Sequence, residues 1–556
     1  MSRFYQQLNR WQIDPANRRW LFVPYDQLTA EIGPLSREHP RELGIVLIEN
    51  TWKAGRRPYH KQKLALLLAN LRHFALEQAA RGVAVRHLVT AAPYREALRS
   101  LLPELGPLRV MEPAERELRV DLQSLVEEGG LQVIPHEGWL TTAAQLQESR
   151  NQRSCWRMDA FYRHVRRATG ILMQNGKPVG GKFSMDAANR QPWKNGPPAP
   201  EPPIFTPDEI TREVAGLVES CFAHHPGRLD LRLLPATRAD AEVLWHWAKR
   251  ECLPFFGPFE DAFSARSRSL FHTRLSALLN LHRLLPARVV REAAELDIPL
   301  ASKEGFIRQI LGWREFVHHV HTLTDGFRKP GRTAIPIAAT PGDAGYQRWA
   351  GRSWPVSASD DPGLDGGAAP AYFAGTTPLP PAFWGRPTGM ACFDDIVQAV
   401  WQEGYSHHIT RLMVLANLAT LLDVAPRELT DWFWVAYTDA YDWVVEPNVL
   451  GMGTFAIGDL ITTKPYIAGA AYLDRMGDYC SRCRFDPKST CPFTALYWAF
   501  LDRHEAKLRT LDRLKLVLAS LRKRPVARRQ RDARVFEYVR RTLCDGEVLM
   551  PTGVPA

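Results

Sequence analysis

Cys480, Cys483 and Cys491 fall within twelve residues as C-x2-C-x7-C, and a proline follows the last of them. Thiolates at this spacing can hold zinc or an iron–sulfur cluster, or can oxidise to a disulfide. Either kind of metal site needs a fourth ligand. Among the remaining cysteines Cys392 is best placed, because it opens a helical stretch that runs on to "SHHITRLM". Spacing alone leaves zinc and iron–sulfur open.

A second constellation lies in "GYSHHITRLM" (404–413), where His408 and Arg411 are three apart and share a helical face. About 30 residues later, "AYTDAYDWVVEPNVLGM" (436–452) supplies Asp442 as a partner for Arg411, and Asn448 as an amide donor and acceptor. A third is "FIRQILGWREFVHHVH" (306–321), an amphipathic helix whose Trp313, Arg314 and Glu315 suit the wall of a cofactor pocket. Each set also suits an ordinary interior, as a capped histidine, an interhelical salt bridge or a buried pair.

The elements that must position these residues come in two styles. Short apolar runs at 19–25, 44–50, 82–89, 108–113 and 131–137 read as buried parallel strands, with a helix over 60–82 between the second and third. This alternation predicts a doubly wound parallel α/β sheet. The first strand is followed by "DQL" (26–28) and not by G-x-G-x-x-G, so a standard dinucleotide site is not supported. Residues 170–209, rich in Gly, Pro and Asn, read as a linker over the surface. From about 236 helical periodicity dominates, apart from the Pro- and Gly-rich interruption at 328–390. The expected plan is an α/β domain (1–140), a connector (141–235) and a large all-helical domain (236–556).

A length of 556 residues calls for more than one domain. The net charge of +11 points to a polyanionic partner, nucleic acid first. Residues 503–541 alone carry 14 Lys and Arg against Glu505, Asp512, Asp532 and Glu537. No apolar run approaches the ~20 residues of a membrane span, and "MSRFYQQLNRWQID" lacks a secretory core. These features predict a cytoplasmic monomer, a setting in which clustered cysteines more often bind metal than pair.

Together the pieces resemble the photolyase/cryptochrome family, in particular its bacterial iron–sulfur branch of deoxyribodipyrimidine photolyase-related proteins, which includes prokaryotic (6-4) photolyases. The resemblance runs in order through "DQL", "FGPFEDAF" (256–263), "IRQILGWREF" (307–316), "GYSHHITRLM", "EPNVLGM" (446–452), "TKPY" (463–466) and the cysteine signature. It implies FAD in the helical domain, a [4Fe–4S] cluster on Cys392, Cys480, Cys483 and Cys491, and a 6,7-dimethyl-8-ribityllumazine antenna in the α/β domain. By motif, Thr273, Leu275 and Ser276 match the flavin-phosphate segment, Trp313–Glu315 the isoalloxazine side, Arg411 and Asp442 the salt bridge by the flavin ring, and Asn448 the residue facing flavin N5. Asp26 and Glu49 are antenna candidates, although both would serve equally as charged residues at strand ends.

The implied activity is light-driven repair of (6-4) photoproducts in UV-damaged DNA, with a lesion flipped from the duplex. His408 matches the proton donor and acceptor, with His407 adjacent and Tyr466 and Asp261 as further lesion-side candidates. Trp432 and Trp384 match an electron-transfer chain, but Phe433 stands where relatives carry an oxidisable tyrosine; direct hopping or Trp434 could compensate. Two other readings share these features: a blue-light photoreceptor with the same cofactors, and a flavin-free nucleic-acid module built on zinc or iron–sulfur.

Overall fold

The computed structural model describes residues 2–150, 155–331, 334–339, 341–342, 345–354 and 364–555. The N-terminal part is built on β1 (Arg19–Phe22), β2 (Leu43–Asn50), β3 (Ala84–Thr90), β4 (Leu108–Met111) and β5 (Leu131–Ile134). All pair in parallel, in the spatial order 3-2-1-4-5. Every residue of β2 is buried, as a central parallel strand covered on both faces requires. The five strands are those expected from the apolar runs, and the remainder of the chain is predominantly helical.

In the order 3-2-1-4-5 the chain leaves β1 in one direction and returns to add β4 on its other side, so a topological switch point lies beyond the carboxyl ends of β1 and β4. The "DQL" loop fills it. Gln27 Nε2 donates to the carbonyls of Met111 (3.1 Å) and Glu112 (3.2 Å), tying the two strand ends together. His282 Nδ1 donates to the Asp26 carbonyl at 2.6 Å, and the Leu28 N–H to the Leu281 carbonyl at 2.9 Å. One loop therefore closes the sheet and docks it on the helical part.

Helix α1 (Lys61–Ala80) forms the second junction. The His60 N–H ahead of it donates to the Val435 carbonyl, and buried Lys63 reaches the Trp434 and Ala440 carbonyls. The connector wraps this helix through Asn70 Nδ2 to Pro235 O (3.0 Å) and Gln62 Nε2 to Asp230 O (2.9 Å).

Within the connector, the stretch expected as irregular holds a two-residue ladder, Met173–Gln174 against Lys177–Pro178, turned by Asn175 and Gly176 at φ 50° and 73°. Asn-Gly is the pair that tolerates two successive left-handed residues. Farther on, Met185 N donates to Glu304 and Asn189 Nδ2 to Glu260, strapping the connector across the helical part. The 328–390 interruption lies partly outside the described residues. Its described part contains a small antiparallel ladder, Ile337–Ala338 with Gly367–Ala368.

Asp26 is 2% exposed and one of its carboxylate oxygens lacks a hydrogen-bond partner. Burial, reinforced by Asp442, pushes its pKa up to about 7 despite a backbone hydrogen bond that opposes the shift. A raised carboxyl pKa contributes stability below about pH 4 that is lost as pH rises through 7. The Asp26→Asn variant is therefore expected to be more stable than the parent at pH 8, by up to about 4 kcal/mol. The gap should close toward pH 4 in urea unfolding; a pH-independent difference would contradict the assignment.

Candidate active site

A cavity of about 890 Å³ opens in the helical part. Three of its walls are wide helical turns with i→i+5 hydrogen bonding, at Arg308–Arg314, Arg411–Ala416 and Glu446–Gly453. Such a turn holds one residue more than an α-turn and displaces side chains from the regular helical face. It explains how Trp313, Arg411 and Asn448, from three separate helices, all come to line one space.

Thr273, Leu275 and Ser276 line the same cavity, as do His408, Tyr466 and Asp261. Two of the residues assigned to the flavin surroundings, and His407, stand behind the wall. Glu315 is fully buried and accepts from the Leu140 and Thr141 N–H groups and the Thr141 hydroxyl at 2.8–3.0 Å. It locks the end of the α/β domain to the helical part. His407 stacks on His272 with ring centroids 4.2 Å apart, and His272 in turn meets His408 edge-on at 5.1 Å.

The expected Arg411–Asp442 bridge is replaced by another. Arg411 forms a two-pronged pair with Asp439, with both N···O distances 3.0 Å. Asp439 also accepts from Ser276 Oγ at 2.6 Å, and Arg411 Nε donates to the Ser406 carbonyl. Asp442 instead accepts the N–H groups of Glu117 and Trp443. No periodic cue pointed to Asp439, because the helix Pro426–Ala436 ends at an extended Tyr437 and the next begins only at Asp442. Arg411 also lies 4.0 Å over the Tyr437 ring, which fixes its guanidinium plane.

Burial, then Arg308 and Arg411, push His408 down to about 4. Its side chain nevertheless faces the cavity and is the exposed member of the histidine group, so this depression takes full effect only when a ligand excludes water. Glu260, raised to about 7 by burial, accepts from Asn189 and pairs with Arg308 at 3.1 Å in the cavity wall. Asp261 is raised to about 6, by burial first, and lies 3.6 Å from Arg190.

The mouth is crowded with cations: Arg157, Arg163, Arg190, Lys464, Arg475 and Arg513. Lys464 is lowered, first by burial and then by Arg513 and Arg190. Mutual repulsion of this kind is relieved by a polyanion.

The four cysteines come together from the start of the helix Ala391–Glu403 and the loop before Pro492–Arg503. Cys392 is raised well above the usual thiol range by burial and then by Cys491, Cys480 and Cys483, which places all four within electrostatic reach. The Ala391 N–H donates to Cys483 Sγ at 3.5 Å. Among the described residues, no three His, Cys, Asp or Glu side chains close to metal-binding distance in this conformation. The donor set fits a soft metal or cluster that would draw the thiolates inward.

Glu49 is enclosed. Burial alone would raise it, but hydrogen bonds from His87 and Arg72 take it down to about 2. Phe4 caps the group, with its ring 4.7 Å from His87 and 5.2 Å from the Arg72 guanidinium. Trp432 lies one ring behind the cavity wall, 5.1 Å from Phe433, which lines it. Trp434 lies under the Arg57 guanidinium at 3.9 Å.

The profile of the deoxyribodipyrimidine photo-lyase-related protein family matches residues 21–233. A protein of Agrobacterium fabrum named (6-4) photolyase is 34% identical over 508 residues, spanning 88% of this chain and 92% of that one. The chain belongs to the photolyase family. The crystal structure of a bacterial class III photolyase from Agrobacterium tumefaciens covers 85% of this chain and 87% of its own, at a TM-score of 0.50 and 15% identity. A cryptochrome from Synechocystis covers 83% and 86%, at a TM-score of 0.53 and 12% identity. These two establish the shared photolyase/cryptochrome fold.

In this photolyase-family chain, Asp439→Ala leaves the Arg411 charge inside the helical part without its carboxylate. The expected loss is roughly 2–4 kcal/mol, below that of a sealed pair because Arg411 faces the cavity. Asp442→Asn retains an oxygen for both backbone donors, and should cost less than about 1 kcal/mol. Urea unfolding of the two variants checks the ranking; the reverse order would restore Asp442 as the partner.

Proposed function

We propose that the chain is a light-driven, FAD-dependent DNA repair enzyme that acts on (6-4) photoproducts. The observation that carries this reading is a cavity of flavin size with a cation-lined mouth, in a chain that shares most of its length with a (6-4) photolyase. FAD, when bound, supplies the photoexcitable electron donor. Thr273 and Ser276 offer hydroxyls to its phosphates, and the Arg411–Asp439 pair with Trp313 and Asn448 frames its ring. The cationic rim takes the DNA backbone and leaves the cavity for a nucleotide turned out of the stack.

His408 exchanges the proton. Burial first, and then Arg308 and Arg411, favour its neutral form, so its acid form depends on incoming negative charge, which DNA phosphates at the rim provide. Of the two antenna candidates, Asp26 keeps an unpartnered carboxylate oxygen for a second chromophore of the ribityllumazine class, whereas both oxygens of Glu49 are engaged. Cys392, Cys480, Cys483 and Cys491 hold a [4Fe–4S] cluster that ties the late loop to the helix leading toward His408.

Purified protein is expected to show flavin absorbance and to repair a (6-4)-containing oligonucleotide under blue light. His408→Ala should abolish repair while retaining flavin. Flavin without any repair would favour the photoreceptor reading, and absence of flavin would remove both.

Iron and acid-labile sulfide analysis should give about four of each per chain, and Cys392→Ser should lose most of both along with folding stability. Zinc in place of iron, or a fully folded iron-free variant, would overturn the cluster assignment.

A further inference from the structure

We infer that Trp401 is the inner relay of an electron path that runs Trp432, Trp401, Trp384, Trp349, and that Trp349 is its outer end. The inference rests on the flavin reading of the cavity, and adds Trp401 and Trp349 to the Trp432 and Trp384 that the family resemblance implies. Trp432 is fully buried behind Phe433, and phenylalanine is too hard to oxidise to carry the charge onward. The indole that Trp432 meets is Trp401, at 6.1 Å and nearly perpendicular; Tyr437 lies at 6.0 Å, but the Arg411 guanidinium 4.0 Å over its ring opposes oxidation there. Trp401 stacks on Trp384 at 4.8 Å and 16°, and Trp384 on Trp349 at 5.3 Å and 22°. Four indoles thus make contact in series, a geometry that favours hopping between π-systems.

Hydrogen bonding fixes the inner pair. The indole N–H groups of Trp432 and Trp401 both donate to one acceptor, the Phe383 carbonyl, at 2.9 and 2.8 Å. A carbonyl oxygen stabilises an indole radical cation without removing its proton, so the charge can pass on. Trp384 is only 3% exposed and cannot be the solvent end, whereas Trp349, stacked beyond it, is partly exposed. Trp434, two residues along the same helix, faces Arg57, where a fixed positive charge opposes oxidation.

The electron balance is simple. Trp432 gives one electron to photoexcited oxidised flavin, Trp401 refills Trp432, Trp384 refills Trp401, and Trp349 refills Trp384. An external thiol in solution then reduces the Trp349 radical. No bond to carbon forms or breaks.

The test is photoreduction of the purified holoprotein with dithiothreitol, together with transient absorption of tryptophan radicals. Trp401→Phe should slow photoreduction by about tenfold or more and shorten the radical lifetime, because charge held on Trp432 recombines. Trp401→Tyr, oxidisable at the same place, should recover part of the rate, which a packing defect would not. Trp349→Phe should leave early radical formation intact but lower the yield at low thiol. Circular dichroism adds a flavin-independent readout: Trp401→Phe should weaken the indole exciton signal of the Trp384 stack, leaving the Trp384–Trp349 couplet, and the double variant with Trp349→Phe should remove it. Parent-like photoreduction in flavin-loaded Trp401→Phe, or equal loss in Trp434→Phe, would overturn the path. A parent without flavin would instead refute the reading of the cavity, and the exciton arm would still report the stack.

Discussion

A cavity of about 890 Å³ inside a helical domain is what the rest of this structure has to sustain. Hydrophobic collapse works against such a space, because close packing would fill it with side chains. What keeps it open is the Arg411–Asp439 pair, anchored by Ser276 and the Ser406 carbonyl, with Arg308–Glu260 also in the wall. These groups are costly to bury unless they are held in fixed pairs. The three wide helical turns supply the extra residue per turn that aims them inward while the helices continue on either side.

The same logic joins the domains. The α/β sheet is not merely tethered; its switch point is occupied by the loop that hydrogen-bonds to His282 and Leu281. Residues 273–283 thus serve the cavity at one end and the sheet at the other. Glu315 and Thr141 add a second lock. Reshaping the cavity wall near Ser276 therefore strains the interdomain junction as well as the site.

The strands were legible because a parallel sheet buried on both faces leaves continuous apolar runs, and β2 is the extreme case. The cysteines were legible because thiol clusters are rare and their local spacing survives folding. Asp439 was not, since it sits in a non-helical turn and Asp442 three residues on offered the same chemistry. Nor were Trp401 and His272. Their roles depend on contacts across more than 30 residues of chain, with Trp432 and His407, that no local period encodes. Glu49 shows the opposite case: antenna contact and an ordinary strand-end carboxylate read equally well in the sequence, and in the structure Arg72 and His87 engage both its oxygens.

The aromatic content of the chain follows from the same constraint on the cavity. Seventeen tryptophans are many for 556 residues, and burial alone would be served as well by leucine. Trp432 and Trp401 share the Phe383 carbonyl, so neither indole N–H is left unsatisfied in the core, and the pair is rigid as well as apolar. Phe433 at the wall places no phenolic group, which would itself need a partner, beside the cavity. A wall ring that is hard to oxidise does not interrupt the proposed electron path, because that path begins one ring deeper, at Trp432.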